Sequence, residues 1–481
     1  MNRPEASGPA APRRRTKIVA TLGPATDAPE TIDRLLESGV DVFRLNASHG
    51  DHAAHARRIG WIRAAGRRHP RPIAILLDLQ GPKVRLGALR GEVVLRPGEP
   101  FRFTRDPAPG DASRAGVTWS GLLDVLVPGR RVLLRDGQVT LEVRARSAAE
   151  VETVVVTGGA LTSHSGINVP EEDLPLPALS EKDVEDLEFG VAQGIDWVAL
   201  SFVRSAADLH AARGHLERLG APARLMAKIE KPGAVARFDE VLAAADGIMI
   251  ARGDLGVELR PEEVPVVQKR LIRLCIEAGK PVITATQMLQ SMIDASQPTR
   301  AEVSDVANAV FDGTDAVMLS GETAVGQYPV AAVAMMSRIA AEVEASADYE
   351  ARLHRYEVGD RPDVPDAMSH SAAAIARLLS AAVVAVLTSS GATAWRIARH
   401  RPRTLVAALT PDETVARQLA LGWGLLPLVL PGTFEPEAVV QAALGRLRQA
   451  GLAGEGERIV LVSGQPFGTP GTTNTVRVET A

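Results

Sequence analysis

The sequence predicts an α/β protein: a (β/α)₈ TIM barrel with an inserted small β-barrel lid domain, followed by a C-terminal α/β domain. Three observations predict it. Eight short apolar runs recur, most of them followed by an amphipathic stretch of helical length. Near-continuous runs such as Gly-Ile-Met-Ile suit parallel strands covered on both faces, and eight βα units suit a closed barrel. More than a hundred residues separate the third run from the fourth, far beyond a βα loop. The chain of 481 residues is also too long for a single core.

The eight runs are Lys17–Leu22, Val40–Asn46, Ile73–Leu79, Trp197–Val203, Leu225–Glu230, Gly247–Gly253, Pro281–Gln287 and Ala316–Glu322. Between the third and fourth lie Glu92–Leu95, Arg131–Leu134, Val139–Val143 and Val151–Val156, broken by Gly, Pro and Asp. They read as an inserted β domain over residues 84–168. The barrel then comprises 16–83 and 169–350. A charged, Pro-containing linker at Tyr349–Asp366 ends it, and 351–481 alternate helix and strand as a third domain. Residues 1–15, rich in Ala, Pro and Arg without an apolar core, read as a disordered tail and not a secretory signal.

Composition narrows the function. A net charge of −4 gives no general attraction to nucleic acid or anionic membrane, and no run approaches the length of a membrane span. The single cysteine, Cys275, excludes an intramolecular disulfide and suits a reducing cytosol. Of 54 basic residues only seven are lysines. A lysine inside a motif therefore suggests that a compact ammonium is wanted in place of a planar fork.

The chemistry gathers at the strand ends. The second run ends Arg44-Leu-Asn46-Ala-Ser48-His49, and the third ends Asp78-Leu-Gln-Gly-Pro-Lys83-Val-Arg85. The fifth ends Lys228-Ile-Glu230, the sixth Arg252-Gly253-Asp254, the seventh Thr284-Ala-Thr286-Gln287 and the eighth Ser320-Gly-Glu322. One polar strand end is an ordinary cap; six around one barrel mouth are a site. Glu230 and Asp254 close adjacent strands and suit magnesium, which takes one or two carboxylates and completes its shell with water and substrate oxygens. Taken singly, either acid is more simply a salt-bridge partner. Lys228 shares a strand face with Glu230 and suits a phosphoryl group in flight or an enolate oxygen. Arg44 and Arg85 offer planar forks for phosphate. The amides that follow Arg252 form an anion nest for a small carboxylate.

With these residues in view the chain resembles the pyruvate kinase family. The resemblance runs from Thr16-Lys-Ile-Val-Ala-Thr-Leu-Gly-Pro to Gly471-Thr-Thr-Asn-Thr. It is most specific at Met226-Ala-Lys-Ile-Glu, Gly247–Leu255, Thr284-Ala-Thr-Gln-Met-Leu, Pro298-Thr-Arg-Ala-Glu and Met318-Leu-Ser-Gly-Glu-Thr-Ala. It implies phosphoryl transfer between phosphoenolpyruvate and ADP in the cytoplasm, usually by a homotetramer. It also implies a role for each matching residue. Arg44 contacts the substrate phosphate, and Lys228 stabilises the transferring group and the enolate. Glu230 and Asp254 bind Mg²⁺, with Mn²⁺ as an alternative. The Gly253 and Asp254 backbone, with Thr286, holds the carboxylate. Arg85 and His49 reach the nucleotide. Thr286, Ser320 and Glu322 lie on the proton path to the enolate carbon.

Several positions depart from the family pattern. Ser165 stands where a lid lysine usually precedes Gly166, so one nucleotide-phosphate contact is expected to be lost, with His164 as a partial substitute. In the C-terminal domain Thr388, Ser389, Ser390, Gly391 and Thr393 match a loop that holds an effector's phosphate, without the flanking bases a bisphosphate sugar favours. Asn46, Ser48 and Asp78, with the Leu79 carbonyl, match the family's monovalent-cation ligands. Lys83, where potassium-requiring members carry glutamate, brings its own charge there, and the branch with Leu-Gln and Lys at these positions is the potassium-independent one. Potassium is therefore expected not to be required.

Two rival classes remain. A magnesium-dependent lyase acting on phosphoenolpyruvate or oxaloacetate would lack the insert and the third domain. A non-catalytic effector sensor would not need Arg44, Lys228, Glu230, Asp254 and Thr286 intact.

Overall fold

The computed structural model describes residues 14–69, 71–170, 173–353, 363–432, 436–465 and 471–481. All eight runs form strands: Lys17–Leu22, Val42–Asn46, Ala74–Asp78, Trp197–Leu200, Arg224–Ile229, Gly247–Ala251, Val282–Ala285 and Ala316–Leu319. Each pairs in parallel with its sequence neighbours, and the first closes on the eighth. The sixth, seventh and eighth stop sooner than the sequence suggests. Arg252 opens the helix Arg252–Glu258 and Gly321 opens the helix Gly321–Ala324. Thr286 and Gln287 turn to φ of 72° and 55°, which takes the backbone out of the ladder.

Strand parity positions the site. Val19, Val42, Leu76, Ala199, Met226, Met249, Ile283 and Met318 belong to one buried cluster. Their neighbours Ile18, Phe43, Leu77 and Val198 pack instead in the cluster that includes the surrounding helices. Alternation along a strand carries the first set onward to Thr21, Arg44, Asp78, Ser201, Lys228 and Glu230 on the inner side of the upper rim.

The base of the barrel is laced by four acids, each immediately before an even-numbered strand: Asp41, Asp196, Asp246 and Asp315. Each accepts the first free amide of the preceding strand: Ile18 N at 2.9 Å, Ile75 N at 2.8 Å, Leu225 N at 2.9 Å and Val282 N at 3.0 Å. Each also meets guanidinium. Arg14 and Arg71 face Asp41, Arg63 and Arg417 face Asp196, Arg213 faces Asp246 and Arg401 faces Asp315. Arg14 and Arg15, expected in a disordered tail, are thus bound to the barrel; Arg15 N donates to Glu344. The rest of that tail, through residue 13, lies outside the described residues.

Arg401 and Arg417 come from the C-terminal domain. Its five-stranded sheet runs in the order Leu425–Val429, Leu405–Thr410, Val383–Leu387, Arg458–Gly464 and Thr473–Thr480, with the last strand antiparallel. Trp197, at the start of the fourth barrel strand, donates to Gln418 O at 3.2 Å and meets Trp395 edge-on at 6.4 Å. The third domain therefore caps the barrel base. Tyr349, read as the start of a linker, is buried in the helix Ala347–Leu353 and accepts from Trp423 Nε1 at 2.9 Å. Half of that expected linker, residues 354–362, lies outside the described residues.

The insert forms a six-stranded sheet and a two-stranded one around one core. Pro100–Thr104, Arg114–Gly116, Gly159–Leu161 and Ile167–Asn168 add to the four strands read from sequence. Among the described residues no helix is long and apolar enough to cross a membrane.

Burial alone would raise the Asp41 pKa, but Arg14, Arg71 and Lys17 outweigh it and hold the group at about 2. A carboxyl depressed in the folded state contributes stability above its unfolded pKa and loses it as pH falls through the folded value. Asp41→Asn should therefore destabilise at neutral pH by about 3–5 kcal/mol, the scale for breaking a buried pair. Denaturant melts should show the gap to wild type narrowing as pH falls from about 4 to about 2.

Candidate active site

At the upper rim the inward residues form a buried cluster of charges. Lys228 Nζ lies 2.6 Å from Ser201 Oγ, 3.1 Å from Asp78 Oδ1 and 2.9 Å from Glu230 Oε1. Arg44 Nε donates to the other Asp78 oxygen at 2.6 Å, and its NH1 donates to Thr21 Oγ1 at 3.0 Å. Register explains the meeting: Thr21 pairs with Arg44, Asn46 with Asp78, and Ala199 with Asp78. Burial alone would lower the Lys228 pKa, but Asp78 and Glu230 outweigh it and hold the ammonium firmly protonated. Asp78 is held below the usual carboxylate range: its burial is outweighed by Lys228 and Arg44.

Glu230 has one oxygen on Lys228 and the other on the Phe202 amide at 2.7 Å. Burial pushes its carboxyl up, Lys228 pulls it down and Asp254 pushes it up, with a net rise. Asp254 sits in the first turn of the helix Arg252–Glu258, not on the sixth strand, because that strand ends at Ala251. It lines a cleft of about 1080 Å³ together with Gly253, Gln287 and the insert's Asp136–Gln138 turn. The acid pair thus spans a strand end and a helix start. No group of three or more His, Cys, Asp or Glu suited to a metal occurs among the described residues, but magnesium needs only one or two carboxylates.

The nest beside them is braced from the seventh strand. Gly253 N donates to Thr286 Oγ1 at 2.7 Å, while Arg252 makes a two-pronged pair with Asp305 at 2.7 Å for each prong. Thr286 adopts a left-handed φ of 72° although it is β-branched, a conformation of real cost that marks a functional turn. Glu322, expected on the proton path, accepts two backbone amides. It is fully buried, and its oxygens accept Leu289 N at 3.0 Å and Ser320 N at 2.7 Å, so it ties the seventh and eighth loops together. Beside that tie Ser320 Oγ is buried, with no hydrogen-bond partner among the described residues.

Other expected site residues lie apart from the cluster. The Lys83 ammonium, expected beside Asp78, instead meets the insert's Asp136 at 3.2 Å; the cations at Asp78 are Arg44 and Lys228. Asn46 Oδ1 accepts Ser48 N at 3.1 Å, and Ser48 and His49 are exposed. The Leu79 carbonyl accepts from Ser201 Oγ at 2.7 Å. Arg85 donates to the His164 carbonyl at 3.2 Å on the insert's return turn. Ser165 points inward, its hydroxyl donating to Thr162 O at 2.7 Å, so this position presents no side chain to a nucleotide. In the C-terminal loop, Thr388 Oγ1 accepts Gly391 N at 2.9 Å and Thr393 Oγ1 is 2.6 Å from Thr473 Oγ1. The first bond closes the loop on itself, and the second ties it to the last strand. Ser390 O accepts from Arg224 of the barrel at 2.8 Å, and Ser389 is half-buried.

Thr21 and Ser201 were missed in the sequence, yet a signal for them exists. They are the inward polar residues at the ends of the first and fourth strands, the two strands absent from the ring of six.

Comparison with known proteins agrees with this geometry. Residues 13–333 match the model of the pyruvate kinase barrel domain, and 366–479 that of the pyruvate kinase alpha/beta domain. The chain belongs to the pyruvate kinase family. A pyruvate kinase of Methylorubrum extorquens is 45% identical over 97% of both chains. One from Geobacillus stearothermophilus is 44% identical over 97% of this chain and 80% of the relative. A crystal structure of a pyruvate kinase from Cryptosporidium parvum superposes with a TM-score of 0.92 at 35% identity, covering 97% of this chain and 96% of that one. The family's reaction, phosphoryl transfer between phosphoenolpyruvate and ADP, is the activity of this chain. The lyase and sensor alternatives fall with that match.

Thr286→Gly removes the strained conformation, worth about 1–3 kcal/mol, together with the hydroxyl that meets the Gly253 amide. The variant should melt no lower than wild type while turnover falls at least about tenfold. Loss of stability and activity in step would reduce Thr286 to a packing residue.

Proposed function

We propose that the rim cluster is the phosphoryl-transfer centre of a magnesium-dependent pyruvate kinase, with each residue acting through its charge. The observation that carries the reading is the balance of the buried groups. Arg44 and Lys228 offset Asp78 and Glu230, which leaves Asp254 in excess beside Glu230 and facing the open cleft. Two hard oxygen donors with surplus negative charge fit a divalent cation, and Glu230 and Asp254 would hold it. When bound, that ion supplies positive charge to the phosphoryl oxygens and the enolate oxygen.

The residues of the chain supply the rest. Arg44 holds the substrate phosphate by a planar fork. The Gly253 and Asp254 amides, with the Thr286 hydroxyl, hold the carboxylate at the helix start. The terminal phosphate oxygen of ADP attacks phosphorus in line, the bond to the enol oxygen breaks, and its electron pair stays on that oxygen. Lys228, fixed as an ammonium, stabilises the developing enolate. The enolate carbon then takes a proton to give pyruvate. The seventh and eighth strand ends are nearest in sequence logic to that transfer, with Thr286 and Ser320 as the groups to test and Glu322 as their brace. The insert, residues 84–168, acts as a lid that excludes water from the transferring group.

Members of the family generally need a divalent metal and usually potassium. We read this chain as independent of potassium. Supporting this, the oxygens of Asp78 are already engaged by Arg44 and Lys228, and Lys83 adds a cation at the lid turn. Nucleotide contacts from Arg85 and His49, and a homotetrameric assembly, follow from family likeness.

A coupled assay of ADP-dependent pyruvate formation, with and without magnesium, tests the centre. Asp254→Asn should lower turnover by at least about two orders of magnitude, the scale of one lost electrostatic stabiliser. Near-normal turnover at saturating magnesium would remove Asp254 from the metal site. For potassium, activity in tetramethylammonium buffer should rise little when potassium is added. Lys83→Glu sets two carboxylates face to face at the lid turn and should create a dependence on the monovalent cation. A rise of about a hundredfold in the native chain, the scale of several kcal/mol in a shielded site, overturns the reading.

A further inference from the structure

A second cleft, of about 420 Å³, opens between the barrel base and the C-terminal domain, remote from the rim. Five guanidiniums line it: Arg63, Arg67, Arg71, Arg417 and Arg446. Three of these are committed to the base lacing. Arg63 and Arg417 meet Asp196 at 2.9 and 2.7 Å, and Arg71 meets Asp41 at 2.6 Å. Glu413, at the exposed edge, lies 3.6 Å from Arg417. The cleft therefore keeps an excess of positive charge.

That excess resides on Arg67 and Arg446. Among the described residues no hydrogen bond or ion pair involves Arg67, and Arg446 donates only to Gln449 Oε1 at 3.2 Å. The two stand on opposite walls. Arg67 lies in the last turn of the barrel helix His52–Arg68, and Arg446 lies on the C-terminal helix Pro436–Gln449. The buried Ile73 and Pro427 also line the cleft. Two guanidiniums lining one cleft, in a volume typical of small-molecule sites, suit a phosphate carried on a compact organic body.

We propose that this cleft binds a phosphorylated small molecule, its phosphate clamped between Arg67 and Arg446. The ligand bridges two domains at the place where Arg417, Asp196 and Arg63 already join them. Its occupancy therefore couples to the barrel base. The binding claim stands apart from the active-site reading, and the experiment keeps the two separate.

Calorimetry with inorganic phosphate on the full chain carrying Arg44→Gln and Lys228→Met isolates the cleft from the rim. Chloride at equal ionic strength serves as the control. Phosphate should still bind in that background, and adding Arg67→Gln with Arg446→Gln should weaken it roughly tenfold, the scale of one lost charge-assisted hydrogen bond. Phosphate binding abolished by the two rim changes alone, or unchanged by adding Arg67→Gln and Arg446→Gln, overturns the proposal. Should the double variant melt early, Arg67→Glu at its exposed position reverses the charge without touching the core. It should weaken phosphate at an unchanged melting temperature, and unaltered affinity there is equally fatal. A cleft that binds phosphate in a chain whose Asp254→Asn variant stays active would separate this site's success from failure of the metal assignment.

Discussion

The Lys228 ammonium, held between Asp78 and Glu230 under the barrel mouth, is the constraint around which the site is arranged. Removing a charge from water costs several kcal/mol even after the surroundings relax, so such a group survives only where partners surround it. Here the partners arrive from three strands, and each contributes through its inward parity. Asp78 also serves Arg44, so one carboxylate orients both cations. Apolar replacements of similar volume would be no less stable than this cluster by the same reasoning. The work of the charges is catalytic: they stand ready, before substrate arrives, where negative charge will develop.

The barrel delivers that arrangement because its two ends are built differently. The base is closed by acids that each cap a strand amide and meet an arginine, and by the tryptophan contact with the third domain. The rim is open and carries surplus negative charge at Asp254. Conformational strain is stored there too, at Thr286, and also at Phe202, which has a φ of 56° and an amide that meets Glu230. Rigid base and strained rim divide stability from function along one axis, as is usual in barrels of this kind.

The third domain joins the barrel by the same chemistry that closes the base. Arg401 is shared between Asp315 and the face of Trp423, and Arg417 reaches Asp196. Anything that shifts this domain acts on the amides at the start of the strands that lead to Asp78 and Thr286 above. A ligand in the basic cleft would act on that lacing directly.

Much of this was legible in the chain. Period-two alternation fixes which residues of a strand face inward, so Arg44, Asp78, Lys228 and Glu230 could be assigned to one rim before any coordinates. Thr21 and Ser201 obey the same rule and escaped only because a hydroxyl at a strand end is an unremarkable residue. The sequence alone determined the eight strands, the insert, and the types of charge at the mouth, because these follow from local pattern. Tertiary structure decided which charge meets which. Lys83 reaches the lid and not Asp78, Glu322 spends both oxygens on backbone amides, and Ser165 turns into its own loop. The pairing of base acids with Arg401 and Arg417 joins residues up to 221 positions apart. A side chain's type and face are set by its neighbours in the chain, but its partner is set by distances that only closure of the barrel and docking of the third domain create.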